Sequence, residues 1–148
     1  EKAYRLPYQD RVQRIAALLE GLAHLEGGAK QALHYTDVSP DLVFLAVTRG
    51  GNHLFGHIIG ADERHRPVVK IEALRQALDV FADDLLSDVY VGWVQGYLDS
   101  ERARFEAALA DGGPLAAWAD LVHIDHPRRV LQDLVQALQD EANAKWLA

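Results

Sequence analysis

The apolar positions keep a helical period at both ends of the chain and change character between residues 42 and 71. After Pro7, the residues Tyr8, Val12, Ile15, Leu19 and Leu22 recur at helical spacing, and Leu18 and Leu25 widen the stripe. This predicts a first helix. Gly27-Gly28 ends or bends it, because glycine costs about 1 kcal/mol inside a helix. A short helical continuation runs to about His34, and Ser39-Pro40-Asp41 reads as a loop.

Leu42 to Val47 is apolar at every position, the pattern of a strand covered on both faces. Gly50-Gly51-Asn52 carries hairpin chemistry, since glycine reaches positive φ without a steric penalty. The return strand is predicted over His53 to Ile59. Alternation there puts Leu54, Gly56 and Ile58 on one face and His53, Phe55, His57 and Ile59 on the other. A polar loop from Gly60 to Arg66 then leads to a third strand, Pro67 to Ile71.

The remainder reads mostly as helix. Leu74, Leu78, Phe81, Leu85 and Val89 form one stripe, with Asp79 and Asp83 away from it. Val89 to Trp93 is rich in β-branched and aromatic residues, which also suits a fourth strand. Helix is the preferred reading for residues 89–97. Val94, Leu98, Phe105 and Leu109 carry the apolar face to about Ala110, where Gly112-Gly113-Pro114 stops it. A short helix over Leu115 to Val122 follows. The last helix begins near Pro127 with Asp125 or His126 as N-cap, and Val130, Leu131, Leu134, Leu138 and Ala142 face inward. The expected fold is α+β: an N-terminal helix, a three-stranded antiparallel meander, and a helical C-terminal half packed on one sheet face. A length of 148 residues, with no linker-like stretch, fits a single domain over residues 1–148.

Composition narrows the chemistry. The chain has no cysteine, which removes disulfides, thiolate metal sites and a cysteine nucleophile and fits a reducing cytoplasm. The longest apolar run, Leu42 to Val47, is six residues, against about 20 for a membrane helix. No basic-then-apolar leader opens the chain, so no signal peptide is expected. The formal charge of −7 argues against phosphate-backbone binding, making nucleic acid an unfavoured partner. That charge is uneven. The first fourteen residues carry a net +2, whereas Ile71 to Asp111 carries −6.

The acidic stretch holds the leading constellation. Asp79/Asp83 and Asp84/Asp88 are i,i+4 pairs, one turn apart on a helix. Such a surface suits a basic protein partner and equally fits a solvated helix face. With a second acidic helix it would hold Mg²⁺ or Mn²⁺ against a phosphorylated small molecule, the metal activating water for hydrolysis. In acid spacing the stretch is similar to prenyl-transfer and all-helical pyrophosphohydrolase families, though their DDxxD run is absent here.

Other candidates are smaller. Asp120, His123 and His126, with Asp125, offer imidazole and carboxylate donors for a metal, and the same residues suit helix capping. His53 and His57 lie too far apart on a strand, about 13 Å, to share one ion, but with Phe55 they would line a pocket or groove. Arg49-Gly50-Gly51-Asn52 lacks the Lys-Ser/Thr ending of a phosphate loop. Arg64-His65-Arg66 and Arg128-Arg129 are basic clusters, the second at a helix N-terminus that attracts anions. Ser39, Ser87 and Ser100 lie in no GxSxG sequence. Tyr90, Trp93 and Tyr97 fall at i, i+3 and i+7. This stripe, with Trp146-Leu147 near the end, suits a core or a homodimer interface. In size, charge and element order the chain is similar to bacterial secretion chaperones and toxin-neutralising immunity proteins. The leading expectation is a non-enzymatic, dimeric binding protein that presents Asp79, Asp83, Asp84 and Asp88 to a basic partner without a cofactor. The alternative is the Mg²⁺- or Mn²⁺-dependent hydrolase.

Overall fold

A computed structural model describes residues 5–25, 37–51 and 53–147. The expected Gly27-Gly28 break, the continuation to His34, and Asn52 lie outside these residues. The described elements are helix α1 (Tyr8–Ala23), strands β1 (Leu42–Leu45), β2 (Ile59–Ala61) and β3 (Pro67–Val69), helix α2 (Ile71–Val80), strand β4 (Val89–Trp93), helix α3 (Asp99–Leu109), strand β5 (Val122–Asp125) and helix α4 (Pro127–Gln139). Short 3-10 segments cover Ala82–Asp84, Ala116–Leu121 and Glu141–Leu147. The fold is α+β, as the pattern predicts, but the strands pair differently.

Among the described residues, no three-stranded meander forms. β1 pairs antiparallel with β4, and β4 pairs parallel with β5. β2 and β3 form a separate hairpin. The predicted strand His53–Ile59 is mostly turn, closed by hydrogen bonds from Gly56 N to His53 O and from Ile58 N to Phe55 O. Those turns let Phe55 and Ile58 both reach the core, which strict alternation forbids. The hairpin that does form turns at Asp62. Its carboxylate accepts the backbone N–H groups of Arg64 and Arg66 and the Arg66 guanidinium, and these bonds hold its pKa below the ordinary carboxylate range.

Residues 89–93 are strand, not helix. The β-branched and aromatic content of Val89 to Trp93 wins because both faces of β4 are covered. Val89, Val91 and Trp93 are at most 1% exposed. They face the main core with Phe44, Leu74, Leu78, Phe105 and Leu115. Phe105 on α3 lies 5.9 Å from the Trp93 ring, and the Trp93 indole N–H donates to Tyr97 O at 2.7 Å. The helix stripe expected through Tyr90, Trp93 and Tyr97 is therefore replaced by a strand that sends Tyr90 and Trp93 to opposite faces.

Gly92 looks the other way. A Cβ there would lie 2.5 Å from Pro127 Cα, 2.7 Å from Val43 Cγ2 and 2.9 Å from Val130 Cγ2. The start of α4 thus rests directly on the β4 backbone. Helices cover both faces of the sheet, not one: α3 on the Trp93 side and α4 on the Gly92 side, with α1 packed on α4. α4 is the helix the sequence predicts most fully. Pro127 opens it, the His126 ring accepts from Arg128 N, and Val130, Leu131, Leu134 and Leu138 are buried. Ala142, expected on the same face, lies beyond its end and is exposed.

α1 packs on α4 through Val12 and Ala16 against Val135 and Leu138, with Trp146 and Leu147 closing the cluster. The guanidinium groups of Arg5 and Arg11 both donate to Leu147 O. The expected stripe holds for Tyr8, Val12, Ile15 and Leu19, which join this cluster. Ala16 and Ala23 are buried as well, whereas Leu18 is 64% exposed and Leu22 and Leu25 are also outside. Among the described residues, no helix is long and apolar enough to cross a membrane.

Substituting Gly92→Ala forces a methyl into backbone that cannot yield, so stability should fall by about 2–3 kcal/mol. Gly21, in α1, has nothing within 4 Å of a built Cβ, and Gly21→Ala should raise stability by up to about 1 kcal/mol. Urea unfolding midpoints of the two variants would check the contrast. Equal effects would contradict the close α4–β4 approach.

Candidate functional site

The acidic stretch does not lie on one helix. α2 ends at Val80, Asp83 and Asp84 fall in the 3-10 turn, and Asp88 stands in the chain entering β4. Backbone pairing with the residues after β1 holds this segment in place. Arg49 N donates to Asp84 O at 2.7 Å, Leu86 N to Val47 O at 2.8 Å, and Thr48 bridges Leu85. The Ser87 hydroxyl accepts from Val47 N at 2.8 Å and donates to Asp88 O at 2.7 Å. It is a structural clasp, engaged on both sides by backbone.

The four aspartates therefore have different surroundings. Asp79 accepts the Trp118 indole N–H at 3.0 Å through one oxygen and pairs with Arg75 at 3.0 Å through the other. Arg75 also bonds Glu72, and that bond, followed by the charges of Glu72 and Asp79, raises its pKa. Asp88 Oδ2 lies 2.7 Å from His123 Nε2. Asp83 is exposed, and Asp84 contributes its backbone carbonyl to the β1 extension. The i,i+4 geometry expected on a helix is lost because the helix ends first. Among the described residues, no three His, Asp or Glu side chains come together in a group able to hold a metal ion.

Asp88 opens onto a pocket of about 370 Å³ at the N-terminal ends of β4 and β5. Tyr90, Trp118, Trp146 and Leu121 wall it, and Asn143 lies beside Ala137 of α4. Tyr90 sits next to His123 in the sheet register, their rings 5.7 Å apart. Burial, and then the charges of Asp88 and Asp133, push the Tyr90 phenol above its ordinary pKa. The Trp146 indole N–H is buried without an acceptor, so packing on α1 holds that ring.

The remaining candidates separate. Asp120 lies in the 3-10 segment before β5, His123 near the start of β5, and His126 beyond its end as the α4 N-cap. Asp120 and His123 share no helix face, because His123 is on a strand. Strand rise puts His123 and His126 about 10 Å apart along the chain. His53 and His57 are exposed on the turns, while Phe55 packs 6.0 Å from Phe44. Phe55 thus packs against the core between two exposed histidines. Arg128 donates to Ala23 O, and Arg129 pairs with Asp125 at 3.5 Å. The α4 N-terminus is thus tied to its own chain.

Periodicity missed the joining of Asp88 to His123 and the meeting of Trp118 and Trp146. Asp88 and His123 are 35 residues apart, and their only link in sequence is that each stands at the start of a strand. With this geometry described, comparison with known proteins adds nothing: no family model, curated protein or solved structure matches the chain.

The shifted phenol gives a direct check. The folded state holds the Tyr90 proton more tightly than the unfolded state does, so its contribution to stability is complete below about pH 10. That contribution is lost as pH rises through the folded-state ionisation. An ultraviolet titration should show one late phenol that disappears in Tyr90→Phe. Simultaneous ionisation of all tyrosines would contradict the buried environment.

Proposed function

We propose that this is a binding protein that meets a basic protein partner through the acidic face around Asp79, Asp83, Asp84 and Asp88. The observation that carries this reading is the arrangement of those aspartates. They are spread over α2, the following turn and the start of β4, beside an aromatic-walled pocket, and among the described residues do not come together in a group able to hold one ion. Separated carboxylates suit a partner with several separated positive charges. A metal-dependent hydrolase needs them within bonding reach of a single ion, at about 2.0–2.6 Å each.

The electrostatics support the same direction. Residues 71–111 carry a net −6 within a chain of −7, so association with a basic surface is steered at long range. Individual exposed charges are each worth about 0.2–1 kcal/mol, so affinity comes from their number. The Ser87 hydroxyl, held by backbone on both sides, supports binding over nucleophilic chemistry at this place.

A basic peptide with several Lys and Arg residues should bind and weaken steeply as salt is raised from about 0.05 to 0.5 M, as screening shortens the reach of the charges. Asp83→Asn with Asp84→Asn should lower affinity about three- to tenfold while leaving the melting temperature near wild type. Calorimetry would measure both. Salt-independent affinity, or no basic peptide bound, would overturn the reading. So would tight binding of Mg²⁺ or Mn²⁺ that is abolished by the same substitutions.

A further inference from the structure

The pocket beside Asp88 has a composition that the acidic face alone does not specify. Its lining holds three aromatic rings, Tyr90, Trp118 and Trp146, and one carboxylate, Asp88, with no Lys, Arg or His. Aromatic faces carry negative electrostatic potential and attract cations, most strongly when water is displaced. Ala137, in the last turn of α4, also belongs to the lining, its carbonyl already accepting from Asn143 Nδ2 and Asp140 N. The one charged side chain and the three ring faces share a negative sign.

Size selects the kind of cation. At about 370 Å³ the pocket is near the lower end of the range for small-molecule sites, about 300–1,000 Å³. It is too small for a large cofactor and suits one long side chain. An aliphatic stem would be covered by the rings and by Leu121, which is 43% exposed at the pocket. Asp88 Oδ2 already engages His123. Its second oxygen has no protein partner among the described residues and can accept from a charged head.

Resting on the binding role proposed above, we infer that this pocket takes a single arginine or lysine side chain of the basic partner. Its stem lies against Tyr90, Trp118 and Trp146, and its cationic head bonds Asp88. The surrounding aspartates then attract the partner, and the pocket supplies the residue that fixes register. This division follows the general pattern of interfaces, in which a few desolvated anchors carry most of the binding energy and rim charges act mainly on association.

The test uses the full chain labelled with ¹⁵N and two short peptides that differ only at the centre, one with arginine and one with its neutral isostere citrulline. The arginine peptide should move the indole N–H signals of Trp118 and Trp146. It should leave that of Trp93 in place, since Trp93 is 1% exposed and bonded to Tyr97 O. Citrulline should bind at least about tenfold more weakly, the loss expected when a charged hydrogen bond is removed. Asp88→Asn should cost a similar factor. Leu121→Arg, which offers the pocket a tethered cation, should also weaken the arginine peptide. The unliganded spectrum of each variant, with three indole signals in place, establishes that it is folded. Equal binding of the two peptides, or unmoved Trp118 and Trp146 signals, would overturn the pocket assignment. If a multiply basic peptide still binds in a salt-dependent way that Asp83 and Asp84 control, the acidic-face reading survives alone. If no basic peptide binds, both fall.

Discussion

The burial of β4 on both faces is the constraint on which the other elements depend. On one face Val89, Val91 and Trp93 meet α2, α3 and the chain around Leu115. On the other, Gly92 lets the first turn of α4 approach to backbone contact. A strand between two helical layers has no room for polar side chains, which is why β4 reads as Val-Tyr-Val-Gly-Trp. Full burial of each large apolar side chain is worth about 1.5–3 kcal/mol. The intrinsic preference between helix and strand spans only about 1 kcal/mol per residue. Packing on two faces therefore decides the conformation of this segment.

The placement of the acidic residues follows from the same constraint. To deliver residue 89 into the sheet, the chain must leave helical geometry after Val80 and extend beside residues 47–49. Acids near the end of α2 also oppose its dipole, so continuing the helix through Asp83 and Asp84 has no electrostatic support. The result converts two predicted i,i+4 pairs into four carboxylates with separate environments. Asp79 is held by Trp118 and Arg75, and Asp88 by His123. Among the described residues these side chains form no group able to hold a metal ion.

The pocket is likewise a product of element ends meeting. Tyr90 and Asp88 come from the start of β4, Trp118 and Leu121 from the segment before β5, and Asn143 and Trp146 from the chain beyond α4. No pair of these elements is sufficient to form it. The aromatic residues expected to make a continuous helix stripe are instead divided by function. Trp93 is core, and Tyr90 faces the pocket. Trp118 and Trp146, from separate segments, become its walls.

The sequence by itself determined the features set by local chemistry: α1 after Pro7, α4 with proline in its first turn and Asp125 or His126 as cap, the glycine-proline stop after α3, the α+β class, and the concentration of negative charge in residues 71–111. Each depends on residues within one or two turns of one another. Only the tertiary structure decided which strands pair, whether residues 89–93 are strand, where α2 stops, and which aspartate meets which partner. Those outcomes depend on contacts between residues such as Asp88 and His123 or Gly92 and Pro127. Their packing energies exceed local preference, and no periodicity along the chain records them.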